Sequence, residues 1–203
     1  MALNVLATKQ PSSILRALCV ATLALVAAAS FPQTPPDPTA LLDAQREGMK
    51  RISRMDGVWR GRATTLLPNG DQRTITQTER IGPFLGGTVK VIEGRGYDGG
   101  GQVVFNAFGI VSFDPASQKY SIRSYAQGRQ GDFPFRPTDD GYTWEVPAGP
   151  GAFVRYTATI RDNQLREIGE RVAGGAAPVR VFEMVLERVG DTRWPEDGAV
   201  GPR

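Results

Sequence analysis

The sequence predicts an all-β protein: an antiparallel up-and-down β-barrel of about ten strands, with an N-terminal helix. Three observations lead there. Short β-rich runs succeed one another from Gly57 onward, turn residues separate each run from the next, and each run carries one apolar face. A meander of ten strands leaves two edges unpaired unless its first and last strands meet, and closure into a barrel removes both.

The elements follow in chain order. Residues 1–30 read as a signal peptide, because Lys9 and Arg16 precede the apolar run ALCVATLALVAAAS, which ends in small residues suited to cleavage after Ala29 or Ser30. That run, about 13 apolar residues, is short for a membrane span of roughly 20. The expectation is a periplasmic or secreted protein with no stable membrane insertion once the leader is removed. Cys19, the one cysteine, sits inside the leader behind Arg16-Ala17-Leu18, which is not the placing of a lipid-anchored cysteine. Residues 31–38, FPQTPPDP, form a proline-rich linker that cannot continue a helix. Residues 39–55 read as a helix capped by Thr39, with Leu41, Ala44, Gly48, Ile52 and Met55 recurring at steps of three and four.

Residues 56–190 form the barrel domain. Its strands are expected at about 58–67, 72–81, 87–96, 102–113, 119–126, 132–136, 142–147, 152–161, 164–172 and 178–188. Asn69-Gly70 signals a type I′ hairpin, in which both central residues need positive φ. Asp98 to Gly101, Asp114-Pro115, Asp139-Asp140-Gly141 and Asp162-Asn163 mark further turns. Gly94-Arg95-Gly96 lacks the context of a phosphate-binding loop and is read as hairpin-turn glycine. Residues 191–203 are a polar C-terminal tail, and nothing in the sequence decides whether its Trp194 packs on the barrel.

Composition excludes more than it suggests. Of 24 basic residues Lys9 and Arg16 leave with the leader, so 22 remain against 21 acidic ones, interspersed along the chain. No basic patch for nucleic acid results. The chain contains no histidine, which removes imidazole metal sites, Ser-His-Asp triads and histidine general bases. Without cysteine in the barrel there is no disulfide or thiolate metal site. No cofactor and no metal are expected.

A helix, then Gly57-Val58-Trp59 opening the first strand of a meander, resembles the calycin architecture of lipocalins and fatty-acid-binding proteins. More narrowly, MDGVWRGRAT, GPFLGGT, GIVSFDPASQKYSIRSYA and FEMVLERV, spread from Met49 to Val189, resemble bacterial exported lipocalin-like proteins of the DUF1579 type. The resemblance implies that Trp59 closes one barrel end beneath Arg188 of the last strand, a cation–π pair. Gly57, Trp59 and Arg188 are thus the structural signature. The family brings a fold and no activity.

Candidate site residues come from polar groups on inward faces. Ile75 and Ile81 carry Gln77 and Glu79 inward, Leu165 shares its face with Glu167 and Arg171, and Tyr120 points with Ile122. Tyr142, Trp144 and Val146 share a face, as do Val154, Tyr156, Ala158 and Ile160. Gln77, Glu79, Tyr120, Trp144, Tyr156 and Glu167 are therefore the expected lining of a site for a small apolar or amphipathic molecule. The alternatives are a cofactor-free isomerase or cyclase using Glu79 or Glu167 as acid and base, and a structural role in the cell envelope.

Overall fold

The computed structural model describes residues 37–198; the expected signal peptide, residues 1–30, and most of the linker lie outside them. Helix α1 (Pro38–Lys50) is followed by a 3-10 turn (Ser53–Met55) and ten strands. These are β1 (Gly57–Leu66), β2 (Gln72–Phe84), β3 (Val89–Tyr97), β4 (Val103–Asp114), β5 (Lys119–Ala126), β6 (Arg129–Pro137), β7 (Gly141–Pro147), β8 (Ala152–Arg161), β9 (Gln164–Ala173) and β10 (Val179–Gly190). Every strand pairs antiparallel with its neighbour in sequence, and β10 returns to β1, so the barrel is closed.

Helix α1 differs from the sequence expectation at both ends. Asp37 rather than Thr39 caps it, its carboxylate accepting the Thr39 backbone N–H at 2.9 Å, with Pro38 in the first turn where a missing N–H costs nothing. The helix stops at Lys50 instead of running to Met55. The tighter 3-10 turn that replaces its last part drops both Ile52 and Met55 into the barrel end, where they are 2% and 1% exposed.

Two hairpins also differ in kind from the expectation. Asn69-Gly70 does not form a type I′ turn: Gly70 has φ +87°, Asn69 keeps negative φ, and the Gly70 N–H donates to the Leu67 carbonyl. Pro68 sits at the second position of that turn and cannot take positive φ, so a type I turn followed by a left-handed glycine results. Asp162-Asn163, with φ of +49° and +61°, takes the form expected of Asn69-Gly70.

The end of the barrel under α1 is closed. Trp59 is 1% exposed and its indole N–H donates to the Met55 carbonyl at 2.9 Å. The Arg188 guanidinium lies 5.9 Å from the Trp59 ring centroid and donates to the Asp56 carbonyl at 2.9 Å. Gly57, at φ +146°, is needed there, because a Cβ would sit 2.9 Å from Arg188 Nε. Lys90 is buried beside Asp56 and ion-paired with it. Burial nevertheless pushes the Asp56 carboxyl up and the Lys90 ammonium down from their ordinary ranges. Ile81, Val111, Leu165 and Leu186 fill the barrel above this floor, each fully buried.

The tail packs on the outer wall. Arg80 stacks on the Trp194 ring at 4.6 Å, Phe108 meets it edge-on at 6.4 Å, and Gly82 leaves space for its carbonyl.

Trp59→Ala removes the floor of the barrel and is expected to cost about 3–5 kcal/mol of unfolding free energy, the range for deleting a buried aromatic ring. Urea denaturation followed by circular dichroism measures it; a loss below about 1 kcal/mol would show that the floor does not depend on this ring.

Candidate functional site

The barrel interior changes character away from α1. Toward the opposite end, inward-facing Ile75, Phe133, Trp144, Tyr156 and Phe182 are only half-buried, while inward Arg129 and Arg171 at the rim are exposed. This end is a mouth. Its wall is a band of rings: Phe133 lies 6.0 Å from Trp144, Trp144 stacks on Tyr156 at 4.7 Å with planes 19° apart, and Tyr156 meets Phe182 edge-on at 5.8 Å. The last contact crosses β9 because Gly169 stands between the two rings, where a Cβ would come within 2.8 Å of Tyr156 and 2.9 Å of Phe182.

Beneath these rings lies a polar cluster. On β2, alternation turns Gln77 and Glu79 inward, and both side chains lie over the glycines of β3. A Cβ on Gly94 would stand 3.2 Å from Gln77 Nε2 and 3.3 Å from Glu79 Oε1; one on Gly96 would stand 2.4 Å from Ile75 and 3.2 Å from Gln77 Oε1. Gly94 and Gly96 are therefore strand residues opposite Glu79 and Gln77, not the turn glycines that their spacing suggested. On β9, Glu167 points inward between Ala158 of β8 and Met184 of β10, and is 7% exposed.

Hydrogen bonding within the cluster is sparse. Gln77 Nε2 donates to Glu79 Oε1 at 3.4 Å and Trp144 Nε1 donates to Glu167 Oε2 at 3.5 Å, while the Tyr142 hydroxyl faces Glu167 and favours its charged form. The Gln77 amide oxygen has no partner among the described residues, although Gln77 is only 3% exposed. No fully buried side-chain oxygen or nitrogen in those residues lacks a partner, so this oxygen is reached from the mouth.

Burial dominates the acid chemistry. It pushes Glu79 from 4.5 up to about 8, with the Glu167 charge adding to the rise. It pushes Glu167 from 4.5 to about 7, against the bonds from Tyr142 and Trp144. Two carboxyls that repel each other in a poorly solvated space stay partly protonated at neutral pH. Tyr156 is pushed up to about 12 and Tyr142 well above its usual range, both by burial and then by the Glu167 charge, so both remain neutral donors.

Of the six residues expected to line a site, five come together here: Gln77, Glu79, Trp144, Tyr156 and Glu167. Tyr120 does not. It begins β5 at the closed end, where its hydroxyl donates to the Gly48 carbonyl at 2.6 Å and its ring lies 4.7 Å from Phe113. Sequence reasoning passed over Tyr142, which shares a strand face with Trp144, and over Phe133 and Phe182, whose place in the ring band depends on cross-barrel geometry. The mid-strand glycines at 94, 96 and 169 were the available signal for where polar and aromatic side chains lie flat against the wall. Among the described residues no group of three or more acidic, cysteine or histidine side chains is arranged to hold a metal. Two concavities are present elsewhere: a shallow groove of about 520 Å³ along β3 to β6 that includes Arg129 at the rim, and one of about 280 Å³ between α1 and the β2–β3 loop.

The fold and its contents define a lipocalin-like, calycin-type barrel with an acid pair beneath an aromatic mouth. Among solved structures, the chain is similar to the crystal structure of Rv2717c from M. tuberculosis, with a TM-score of 0.52 and 13% identity over 70% of this chain and 96% of that one. At that identity the likeness carries the fold alone. No family model matches the chain. No curated protein matches it either.

Because Glu79 and Glu167 are held above their ordinary 4.5, the folded chain binds more protons than the unfolded chain between about pH 4.5 and 8. Their contribution to stability is therefore complete below the unfolded value and declines as pH rises toward 8. Denaturation midpoints measured across this window should fall with pH, and the Glu79→Gln, Glu167→Gln double variant should flatten the decline. An unchanged slope in that variant would place the proton uptake elsewhere.

Proposed function

We propose that this protein is an exported, DUF1579-type binding barrel that takes up a small amphipathic molecule through its open end and holds it without transforming it. Export to the periplasm or beyond is supported by the leader-like residues 1–30. Binding is supported above all by one observation: the half-buried ring band of Phe133, Trp144, Tyr156 and Phe182 over the polar cluster of Gln77, Glu79 and Glu167. A largely apolar wall with a few convergent polar groups is the usual composition of a small-molecule site. The acid pair orients the ligand, and the rings exclude water around its apolar part.

The raised acids favour one second activity. A carboxylic acid and a carboxylate poised near neutrality, with Tyr142 and Tyr156 as neutral donors, form a proton-transfer pair able to isomerise or cyclise a ligand without a cofactor.

Native mass spectrometry of the purified protein should reveal a co-purifying small molecule, with occupancy reduced in Trp144→Ala and Phe182→Ala variants that remain folded. Bare protein in every preparation, with no added amphiphile retained, would refute the binding role. For an identified ligand, Glu79→Gln and Glu167→Gln leave the mass of the bound species unchanged under binding alone. Conversion of the ligand by wild-type protein, abolished by either variant, would establish the catalytic role instead.

A further inference from the structure

The interior acids differ from the ion-paired carboxylates of the outer wall in what they lack. On the outer wall, Glu93, Glu145 and Glu183 each meet an arginine, as do Asp132 and Asp140. Glu79 and Glu167 meet no basic side chain among the described residues. The elements packed around them place none against them: β1 offers Trp59, Gly61 and Ala63, β3 offers Gly94 and Gly96, β8 offers Tyr156 and Ala158, and β10 offers Met184, while the inward Arg171 of β9 and Arg129 of β6 stand exposed at the rim. Tyr142 and Trp144 of β7 are neutral.

Acceptors also exceed donors. Two carboxyl groups and the Gln77 amide oxygen share the Gln77 amide, the Tyr142 hydroxyl and the Trp144 indole. The Gln77 oxygen lies over Gly96 and has no partner among the described residues. Beside it, Trp144 and Tyr156 stack on each other within the ring band. Carboxylates with no basic partner, set beside indole and phenol rings, are complementary to one kind of ligand group, a positively charged nitrogen bearing carbon substituents.

We propose that the ligand of this barrel is an organic cation: an ammonium group on a small apolar body, its nitrogen held between Glu79 and Glu167 and against Trp144 and Tyr156. This rests on the binding role proposed above and names its chemical class. Near neutral pH the pair retains a proton, which an entering cation displaces. A nitrogen that carries N–H groups also satisfies the Gln77 oxygen.

Titration calorimetry on the purified protein with octyltrimethylammonium, octanol and octanoate tests this, because the three probes share an apolar body and differ in head charge. Near pH 8 the cation should bind at least about tenfold more tightly than either of the others, the scale of a desolvated cation–π and carboxylate contact. Its charge is fixed, so weaker binding near pH 5.5 reports protonation of the protein's own acids. The Glu79→Gln, Glu167→Gln variant should lose the preference for the cation over octanol and octanoate. Octanol or octanoate binding as tightly as the cation overturns the inference and leaves the binding role standing. A preference that survives in the double variant or at the lower pH also overturns it. If none of the three probes binds, both the inference and the binding role fall.

Discussion

The pairing of β1 with β10 is the constraint on which the rest of the barrel depends. Every other pairing joins strands consecutive in sequence, whereas this one brings Gly61 opposite Leu186 across most of the domain. Closure entropy grows only logarithmically with loop length, so the long span adds little to the cost, and it removes two open edges at once. The approach at the seam is close: a Cβ on Gly61 would lie 2.0 Å from the Val185 carbonyl oxygen. The same two strands supply the floor, because Trp59 comes from β1 and Arg188 from β10, two residues from Gly61 and Leu186 respectively. Seam and floor are one device, and α1 rests on it through Met55 and the 3-10 turn.

Away from that floor the molecule departs from the rule that barrel interiors are apolar. Unpaired carboxylates inside a barrel are unfavourable, and here the buried Glu167 and half-buried Glu79 are held toward their protonated forms instead of being matched by arginines. It also accepts Gly94, Gly96 and Gly169 inside strands, where glycine weakens the ladder. These concessions gather around one cluster, Gly94 and Gly96 opposite Glu79 and Gln77 and Gly169 between Tyr156 and Phe182.

The fold was legible because it is specified by short-range patterns. All ten strands fall within a few residues of their expected places, since each is bounded by its own turn and alternates over its own length. The helix end was not legible, because Ile52 and Met55 fit a 3.6-residue stripe equally well before the barrel end that receives them exists. The turn at Asn69 was misjudged for a local reason, the proline before it. Within the site, alternation placed Gln77, Glu79, Trp144, Tyr156 and Glu167 on inward faces, but depth along the barrel axis is not a periodic property. Tyr120 faces inward as they do, yet lies at the closed end. That Glu79 and Glu167 act on each other across the barrel depends on closure, which no pattern within a single strand records.

The placing of Trp194 on the outer wall has a use of its own. The three tryptophans then stand in three environments: Trp59 sealed in the floor, Trp144 half-buried in the mouth, and Trp194 sandwiched between Arg80 and Phe108 outside. Indole emission shifts to the blue as water is excluded, so single-tryptophan versions of this chain would report separately on the core, the mouth and the tail. Opening of the tail or filling of the mouth would thus be visible as distinct spectral events while the floor stays silent.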